Sequence, residues 1–235
     1  EEDMPFGPGT AECLDMALDM AEGYGFETCD YDGYVGCVDM NELPHQLDIL
    51  AHLDVVPAGE GWTVTEPFEP VIKDGKLYGR GTADDKGPAV TALYAMRAVK
   101  ELGLPVKKNV RLILGTDEEC GSSDIAVYYK QEKEAPMTFS PDAEFPVINV
   151  EKGRLPGHFV ASFEKSDAMP KLVKIDAGLK SNVVPGKAKA VVAGVEDAVL
   201  NETAAAVTKE TEVTFTFTGC EEGVLITAEG EGAHA

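Results

Sequence analysis

The chain is poor in basic residues and rich in acidic ones. Its 235 residues contain 20 lysines and arginines against 42 aspartates and glutamates, which gives a formal net charge of -22. So large an acid excess argues against nucleic acid and anionic membranes as partners. It favours a solvated acidic surface instead.

Cysteines are few, and long apolar runs are missing. The five cysteines are odd in number and widely spaced, and no C-x-x-C pair occurs. This pattern excludes a disulfide scaffold and favours a reducing compartment. The sequence also contains no signal-peptide pattern, no twin-arginine motif and no run of about eighteen apolar residues. We therefore expect a cytoplasmic protein without a membrane span.

Hydrophobic periodicity predicts an α/β domain over residues 1–153. An i, i+3, i+4, i+7 pattern predicts a helix over residues 10–22, and a second helix over 85–102 begins at Gly87-Pro88. Apolar runs at 47–53 and 110–114 predict buried strands. Strands alternating with helices indicate a mostly parallel central sheet with helices on both faces. Further predicted elements are strands within 26–38 and near 137–139 and 147–150, and a helix over 122–133.

The sequence changes character near residue 153. Strands are predicted at 158–164, 171–176, 188–192, 213–217 and 224–228, with a helix over 195–208. Alternating Val or Phe and Thr at 213–217 are typical of a half-buried antiparallel strand. We expect residues 154–235 to form part of a second, smaller α+β domain.

Four motifs of acids and one histidine follow strand-like runs. They are His52-Leu53-Asp54, Asp84-Asp85, Glu118-Glu119 and Asp142. Parallel strands bring their carboxyl ends to one edge of a sheet, where open α/β sheets bind ligands. Carboxylates gathered there repel each other unless a cation joins them. We predict a metal site, with two zinc ions, although Mn²⁺ or Co²⁺ could replace Zn²⁺ among mixed nitrogen and oxygen ligands.

Side-chain direction suggests which residues can bind metal and which can act beside it. His52 and Asp54 point to the same face of a strand, so His52 can bind metal while Asp54 holds its other ring nitrogen. Glu118 and Glu119 diverge, so one can bind metal while the other takes a proton from water. Each motif alone has an ordinary explanation, such as helix capping or an Asx turn. The coincidence of all four favours a functional site.

Longer motifs surround these residues. Residues 52–59, 74–81, 84–88, 115–119 and 140–146, with 181–185 and 232–235, resemble the zinc aminoacylase–carboxypeptidase–dipeptidase family. The resemblance is strongest to its PepV-like branch of bacterial dipeptidases. It extends over nearly the whole chain.

The resemblance implies a set of metal ligands. Asp84 would bridge two zinc ions, and His52 and Asp142 would each bind a different ion. Glu119 would bind the second ion together with a histidine from late in the family's sequence. The Asp84–Asp85 peptide bond would be cis.

The resemblance also implies roles for residues that do not bind metal. Glu118 would be the general base, and Asp54 would orient His52. Asn182 and His234 would belong to the lid and contact the substrate. His234 would also stabilise the oxyanion.

The activity that the resemblance implies is hydrolysis of the peptide bond of short peptides, most of all dipeptides, by a zinc-activated water molecule. Residues 1–153 would be the N-terminal segment of the catalytic domain and 154–235 part of the lid. The C-terminal catalytic segment would be absent from the chain, and the protein would be a monomer. Two alternatives stay open: an N-acyl-amino-acid deacylase or desuccinylase, and a catalytically inactive metal- or peptide-binding fragment.

Overall fold

A computed structural model describes residues 4–234 except 60, 154, 156, 165 and 179–182, and gives the backbone alone for 233 and 234. The chain divides into two compact units between residues 153 and 154. No helix in the described part of the chain has the length and apolar character needed to cross a membrane.

The first unit is built on a five-stranded sheet. Its helices and strands are α1 (Pro8–Gly23), β1 (Glu27–Tyr31), β2 (Val35–Asp39), β3 (His45–His52), β4 (Val71–Lys73), β5 (Lys76–Tyr78), α2 (Lys86–Glu101), β6 (Asn109–Gly115), α3 (Ser123–Tyr128) and β7 (Met137–Phe139). The strand order is β1-β2-β6-β3-β7, and β4 and β5 form a separate hairpin. Strand β3 is parallel to β6 and β7, whereas β1, β2 and β6 are antiparallel neighbours. The α/β prediction is confirmed, and the β1–β2 hairpin makes the sheet mixed.

Helices cover both faces of this sheet. Leu112 and Leu114 of β6 pack in one cluster with apolar residues of α1 and α2. Ile113, which lies between them, packs on the other face with Tyr128 of α3. Successive strand residues point to opposite faces, so the apolar run of β6 contributes to two cores.

The second unit is an antiparallel sheet with one helix. Its elements are β8 (Lys171–Ala177), β9 (Val183–Val184), β10 (Lys187–Ala193), α4 (Asp197–Thr211), β11 (Thr214–Cys220), β12 (Gly223–Glu229) and β13 (Ala233–His234). The main sheet has the order β11-β12-β10-β8, and β9 pairs with β13. All of its pairings are antiparallel.

Three sequence predictions were wrong. The structure has no strand at 147–150 or 158–164, and Val147 and Phe159 are 76% and 100% exposed. An apolar run forms a strand only where a neighbouring strand completes its backbone hydrogen bonds, and none pairs with these described residues. The helix predicted over 122–133 ends at Tyr128. Beyond it, Glu132 accepts hydrogen bonds from Tyr31 and Arg111.

Candidate metal centre

His52 lies at the end of β3 and is only 3% exposed. Its Nδ1 atom lies 3.1 Å from the carbonyl oxygen of Asp54 and 3.3 Å from Asp54 Oδ1. Its Nε2 atom lies 3.0 Å from Asp84 Oδ1 and 3.5 Å from Asp142 Oδ2. One ring nitrogen is therefore held by Asp54, and the other faces two carboxylates.

His52, Asp84 and Asp142 form a group that could hold a metal ion. Their ligand atoms all lie within 4.8 Å of one another. A tetrahedral zinc ion with bonds of about 2.0–2.1 Å keeps its ligand atoms about 3.3 Å apart. The two distances from His52 Nε2, 3.0 and 3.5 Å, lie on either side of this value. An imidazole nitrogen with two carboxylate oxygens is also a donor set that zinc accepts. The residues fit a divalent cation.

This grouping bears on one expectation. The resemblance implied that His52 and Asp142 bind different ions. In the structure these two side chains are neighbours at 3.5 Å, on the same side as Asp84 Oδ1. Their ligand atoms lie together in one group, an arrangement that suits a single shared ion. The spacing of the motifs gave no information about which carboxylates face the same nitrogen.

Glu118 and Glu119 lie in a short 3₁₀ turn, Glu118–Cys120, that follows β6. Their backbone N–H groups donate to Asp54 Oδ1 and Oδ2, each at 3.0 Å. Glu118 Oε2 lies 4.0 Å from His52 Nε2, and its side chain is 52% exposed. Glu119 is not in the three-residue group. Asp54 therefore connects the turn to the His52 ring.

Burial and charge shift the pKa values in this cluster. Burial alone would lower the pKa of His52, but its hydrogen bond to Asp54 and the surrounding carboxylates outweigh this and raise the pKa to about 9. Burial would raise the pKa of Asp54, but hydrogen bonds from His52 and from the backbone of Glu118 and Glu119 leave it below its ordinary value. Partial burial, with the charges of Glu119 and Asp142, raises the pKa of Glu118 against the opposing effect of His52.

Asp85 holds the backbone of His52 in place. The Asp84–Asp85 peptide bond is cis, as the resemblance implied. The Asp85 side chain is completely buried, and its Oδ2 atom accepts a hydrogen bond from the His52 N–H at 3.1 Å. Burial raises its pKa to about 7. Sequence reasoning gave Asp85 no role, although the Asp-Asp pair was the available signal.

The two predicted lid residues, Asn182 and His234, fall wholly or partly outside the described part of the chain. Asn182 lies outside the described residues. The backbone of His234 pairs with that of Val183, and its side chain also lies outside the described part. Their roles stay predictions.

Comparison with known proteins agrees with the site. The family model described as peptidase family M20/M25/M40 matches residues 49–164, a stretch that includes every acid of the cluster. The protein YtjP of Bacillus subtilis is 42% identical over 192 residues, which are 81% of this chain and 41% of that protein. The Beta-Ala-Xaa dipeptidase of Lactobacillus delbrueckii subsp. lactis is 38% identical over 237 residues, which are 100% of this chain and 50% of that protein.

A solved structure shares the fold. The M20 family metallo-carboxypeptidase Sso-CP2 from Sulfolobus solfataricus matches with a TM-score of 0.52 and 24% identity, over 60% of this chain and 34% of that one. The chain spans about half the length, or less, of the curated relatives named above. Residues 49–164 of the chain are therefore similar to peptidase family M20/M25/M40.

Proposed function

We propose that this chain carries the metal centre and general base of a metal-dependent dipeptidase. The observation that supports this most is the group His52, Asp84 and Asp142 with the Glu118 carboxylate beside it, 4.0 Å from His52 Nε2. A binding site alone has no need of an acid that stands next to the ligands without joining them. Similarity to peptidase family M20/M25/M40 points the same way.

His52, Asp84 and Asp142 would hold one divalent ion, for which we propose zinc. Asp84 has a second carboxylate oxygen, and Glu119 follows Glu118 in the same turn. We propose that Asp84 and Glu119 would help to hold a second zinc ion. Asp84 would be shared between the two ions. Mn²⁺ or Co²⁺ would fit the same donors.

The chemistry divides between the cation and the chain. A divalent cation at this position polarises a peptide carbonyl group and lowers the pKa of water. Glu118 accepts the proton of the attacking water at its carboxylate and later donates it to the leaving amine. Asp54 keeps the His52 ring oriented, and we propose that Asn182 and His234 contact the substrate.

The substrate class rests on the relatives. The Lactobacillus relative is named for dipeptides with an N-terminal β-alanine. We propose that the whole protein hydrolyses unblocked dipeptides. We also propose that it acts as a monomer in the cytoplasm.

The experiment is a hydrolysis panel with the purified whole protein and zinc. We expect turnover of β-alanyl and alanyl dipeptides but not of N-acetyl or N-succinyl amino acids. Glu118→Gln should lower kcat by about 10²–10⁴-fold while bound zinc per chain stays unchanged. Glu12→Gln, at an exposed position of α1 outside the cluster, serves as the matched control and should behave as the wild type.

Two results would contradict the proposal. Preference for N-acyl amino acids would indicate the deacylase alternative. Bound zinc without turnover of any substrate by the wild type would indicate a binding module.

A further inference from the structure

Asp124, near the start of α3, is a buried carboxylate with no place in the chemistry above. Its side chain is 0% exposed. Asp124 Oδ2 accepts hydrogen bonds from the backbone N–H groups of Thr116 at 2.6 Å and Asp117 at 3.1 Å. Its Oδ1 atom accepts one from Ile125 N–H at 2.7 Å. Hydrogen bonds from several amides compensate a charge that burial would otherwise make costly.

These bonds complete a pattern along the chain. The consecutive N–H groups of Thr116 and Asp117 bind Asp124, and the next two, of Glu118 and Glu119, bind Asp54. Two carboxylates therefore fix every peptide plane from the end of β6 to the Glu118–Cys120 turn, which we call the catalytic turn. Fixed peptide planes fix the directions in which the Glu118 and Glu119 side chains leave the backbone.

Gly115 shows how closely Asp124 approaches the backbone. A Cβ atom at Gly115 would lie 2.7 Å from Asp124 Oδ2, which is shorter than real contacts allow. Its next neighbours, Ala51 O and Ile125 Cδ1, would lie at 3.6 and 3.7 Å, which are ordinary contacts. Gly115→Ala therefore displaces one group selectively, the Asp124 carboxylate.

A second set of bonds closes the same loop. Asp117 Oδ2 accepts hydrogen bonds from Ser123 N–H at 3.0 Å and Ser123 Oγ at 2.6 Å. The Ser122 N–H donates to Asp117 O at 2.8 Å. The start of α3 is thus tied to the chain just before the catalytic turn, and Asp124 cannot shift without moving that chain.

We propose that Asp124 is a positioning residue for Glu118, which it aligns through the backbone of Thr116 and Asp117. The catalytic part of this inference rests on the proposed function. Its structural part does not, because it concerns the order of the turn in the metal-free chain.

The first test is backbone amide hydrogen exchange of the full metal-free chain. Asp124→Asn offers one acceptor oxygen in place of two, and we expect exchange of the amides from Thr116 to Glu119 to quicken about tenfold or more. Gly115→Ala should quicken the same amides by displacing the carboxylate. Asp48→Asn is the matched control, because Asp48 is also 0% exposed and accepts a backbone hydrogen bond, from Ala135 N–H at 3.0 Å. It should leave the turn protected.

The second test separates kcat from KM. Asp124→Asn and Gly115→Ala should lower kcat about tenfold or more, while KM and the affinity for a zinc ion at the His52 group change less than about threefold, because the turn presents Glu118 and Glu119 rather than the His52 group. The kinetic effect of Gly115→Ala should be absent in an Asp124→Ala background, where the clashing atoms are gone.

The outcomes are distinguishable from failure of the proposed function. Absence of turnover by the wild-type whole protein would refute the dipeptidase proposal, and amide exchange would still decide the role of Asp124. The role is refuted if the amides of Glu118 and Glu119 exchange at wild-type rates in folded Asp124→Asn and Gly115→Ala, or if Asp48→Asn exposes them equally. If Asp124→Asn does not fold, the comparison of Gly115→Ala with Asp48→Asn gives the same decision.

Discussion

The β6 loop and the β7 loop each bring a carboxylate to His52, but the two loops are held in place differently. In the β6 loop (residues 116–124), bonds to Asp54 and Asp124 fix the backbone from outside the turn. Among the described contacts of the β7 loop (residues 140–146), Ser140 Oγ accepts the Asp142 N–H at 3.2 Å and Pro141 O accepts the Ala143 N–H at 2.9 Å, and each of these bonds spans two residues. Phe145 in that loop is 73% exposed. Glu118, the proposed base, lies in the loop that is held from outside, and Asp142, a proposed metal ligand, lies in the other.

The difference has a physical meaning. A general base must meet its proton at a defined position, which a rigid backbone provides. A metal ligand can be drawn into place by the bond that it forms with the ion. We therefore expect shape changes in the β6 loop to cost more activity than equal changes in the β7 loop.

The largest effect is expected from shortening the base. Glu118→Asp keeps the charge but withdraws the carboxylate by one methylene, and the fixed backbone cannot follow. We expect kcat to fall about 10²-fold with zinc still bound, as a misplacement of about 1 Å can do. Steady-state kinetics on a dipeptide, with zinc content measured in parallel, checks this. Retention of more than about a third of wild-type kcat would mean that the β6 loop moves to compensate for the shorter side chain.

The counterpart in the β7 loop should be milder. Asp142→Glu lengthens a ligand by one methylene, and we expect the loop to retract and keep zinc affinity within about tenfold of the wild type. Calorimetric zinc titration measures this. Asp142→Ala is the control that removes the ligand altogether and should weaken binding more. If Asp142→Glu is as damaging as Asp142→Ala, the β7 loop is as rigid as the β6 loop.

A pH dependence reports whether the β7 loop stays near His52 without metal. The pKa of His52, about 9 in the folded chain, lies above its ordinary value of 6.5. Between these values the folded state binds more protons than the unfolded one, so the free energy of unfolding should fall as pH rises. This stabilisation is complete below about pH 6.5 and lost above about 9. Asp142 contributes to the shift, after Asp54.

Urea unfolding with a chelator between pH 7.5 and 9 measures this slope. The range stays above the pKa of Asp85, which burial raises to about 7. We expect Asp142→Asn to flatten the slope in part and His52→Asn to flatten it further, while Cys37, whose pKa burial raises to about 12, maintains the remaining slope in both variants. Equal slopes in the wild type and Asp142→Asn would mean that Asp142 leaves His52 when no ion is bound.

The smallest effects should come from paired serine substitutions. Ser123→Ala removes a partly buried hydrogen bond of 2.6 Å to a carboxylate in the β6 loop and should cost about 1–2 kcal/mol of unfolding free energy. Ser140→Ala removes an exposed bond of 3.2 Å in the β7 loop and should cost less than about 0.5 kcal/mol. Denaturant unfolding of both variants checks this. Equal costs would contradict the difference in anchoring.

The sequence predicted the parts of the molecule that depend on local pattern. The apolar runs before His52 and Glu118 were recognisable as β3 and β6, whose parallel pairing sets the end of β3 beside the end of β6, with His52 opposite Gly115. Motif positions at strand ends were therefore enough to expect one cluster. They were not enough to say that His52 and Asp142 face the same point, because that depends on side-chain directions across three strands.

Other features needed the tertiary structure. Asp124 reads in sequence as an ordinary acid at a helix start, and only the missing Cβ of Gly115 lets it reach the backbone before Glu118. The apolar runs at 147–150 and 158–164 have strand-like composition, yet nothing in composition states whether a partner strand lies beside them. The sequence pattern predicts which residues favour burial, but tertiary packing decides whether they are buried.

The central claim is that His52, Asp84 and Asp142 hold the cation while Glu118 stands free of it. Anomalous diffraction at the zinc absorption edge, from crystals of this chain grown with zinc, tests it most directly. The account predicts a peak about 2.0–2.2 Å from His52 Nε2 and from oxygens of Asp84 and Asp142, with the Glu118 carboxylate beyond bonding distance. A peak coordinated by Glu118, or zinc bound elsewhere with Asp142 turned away from His52, would contradict it.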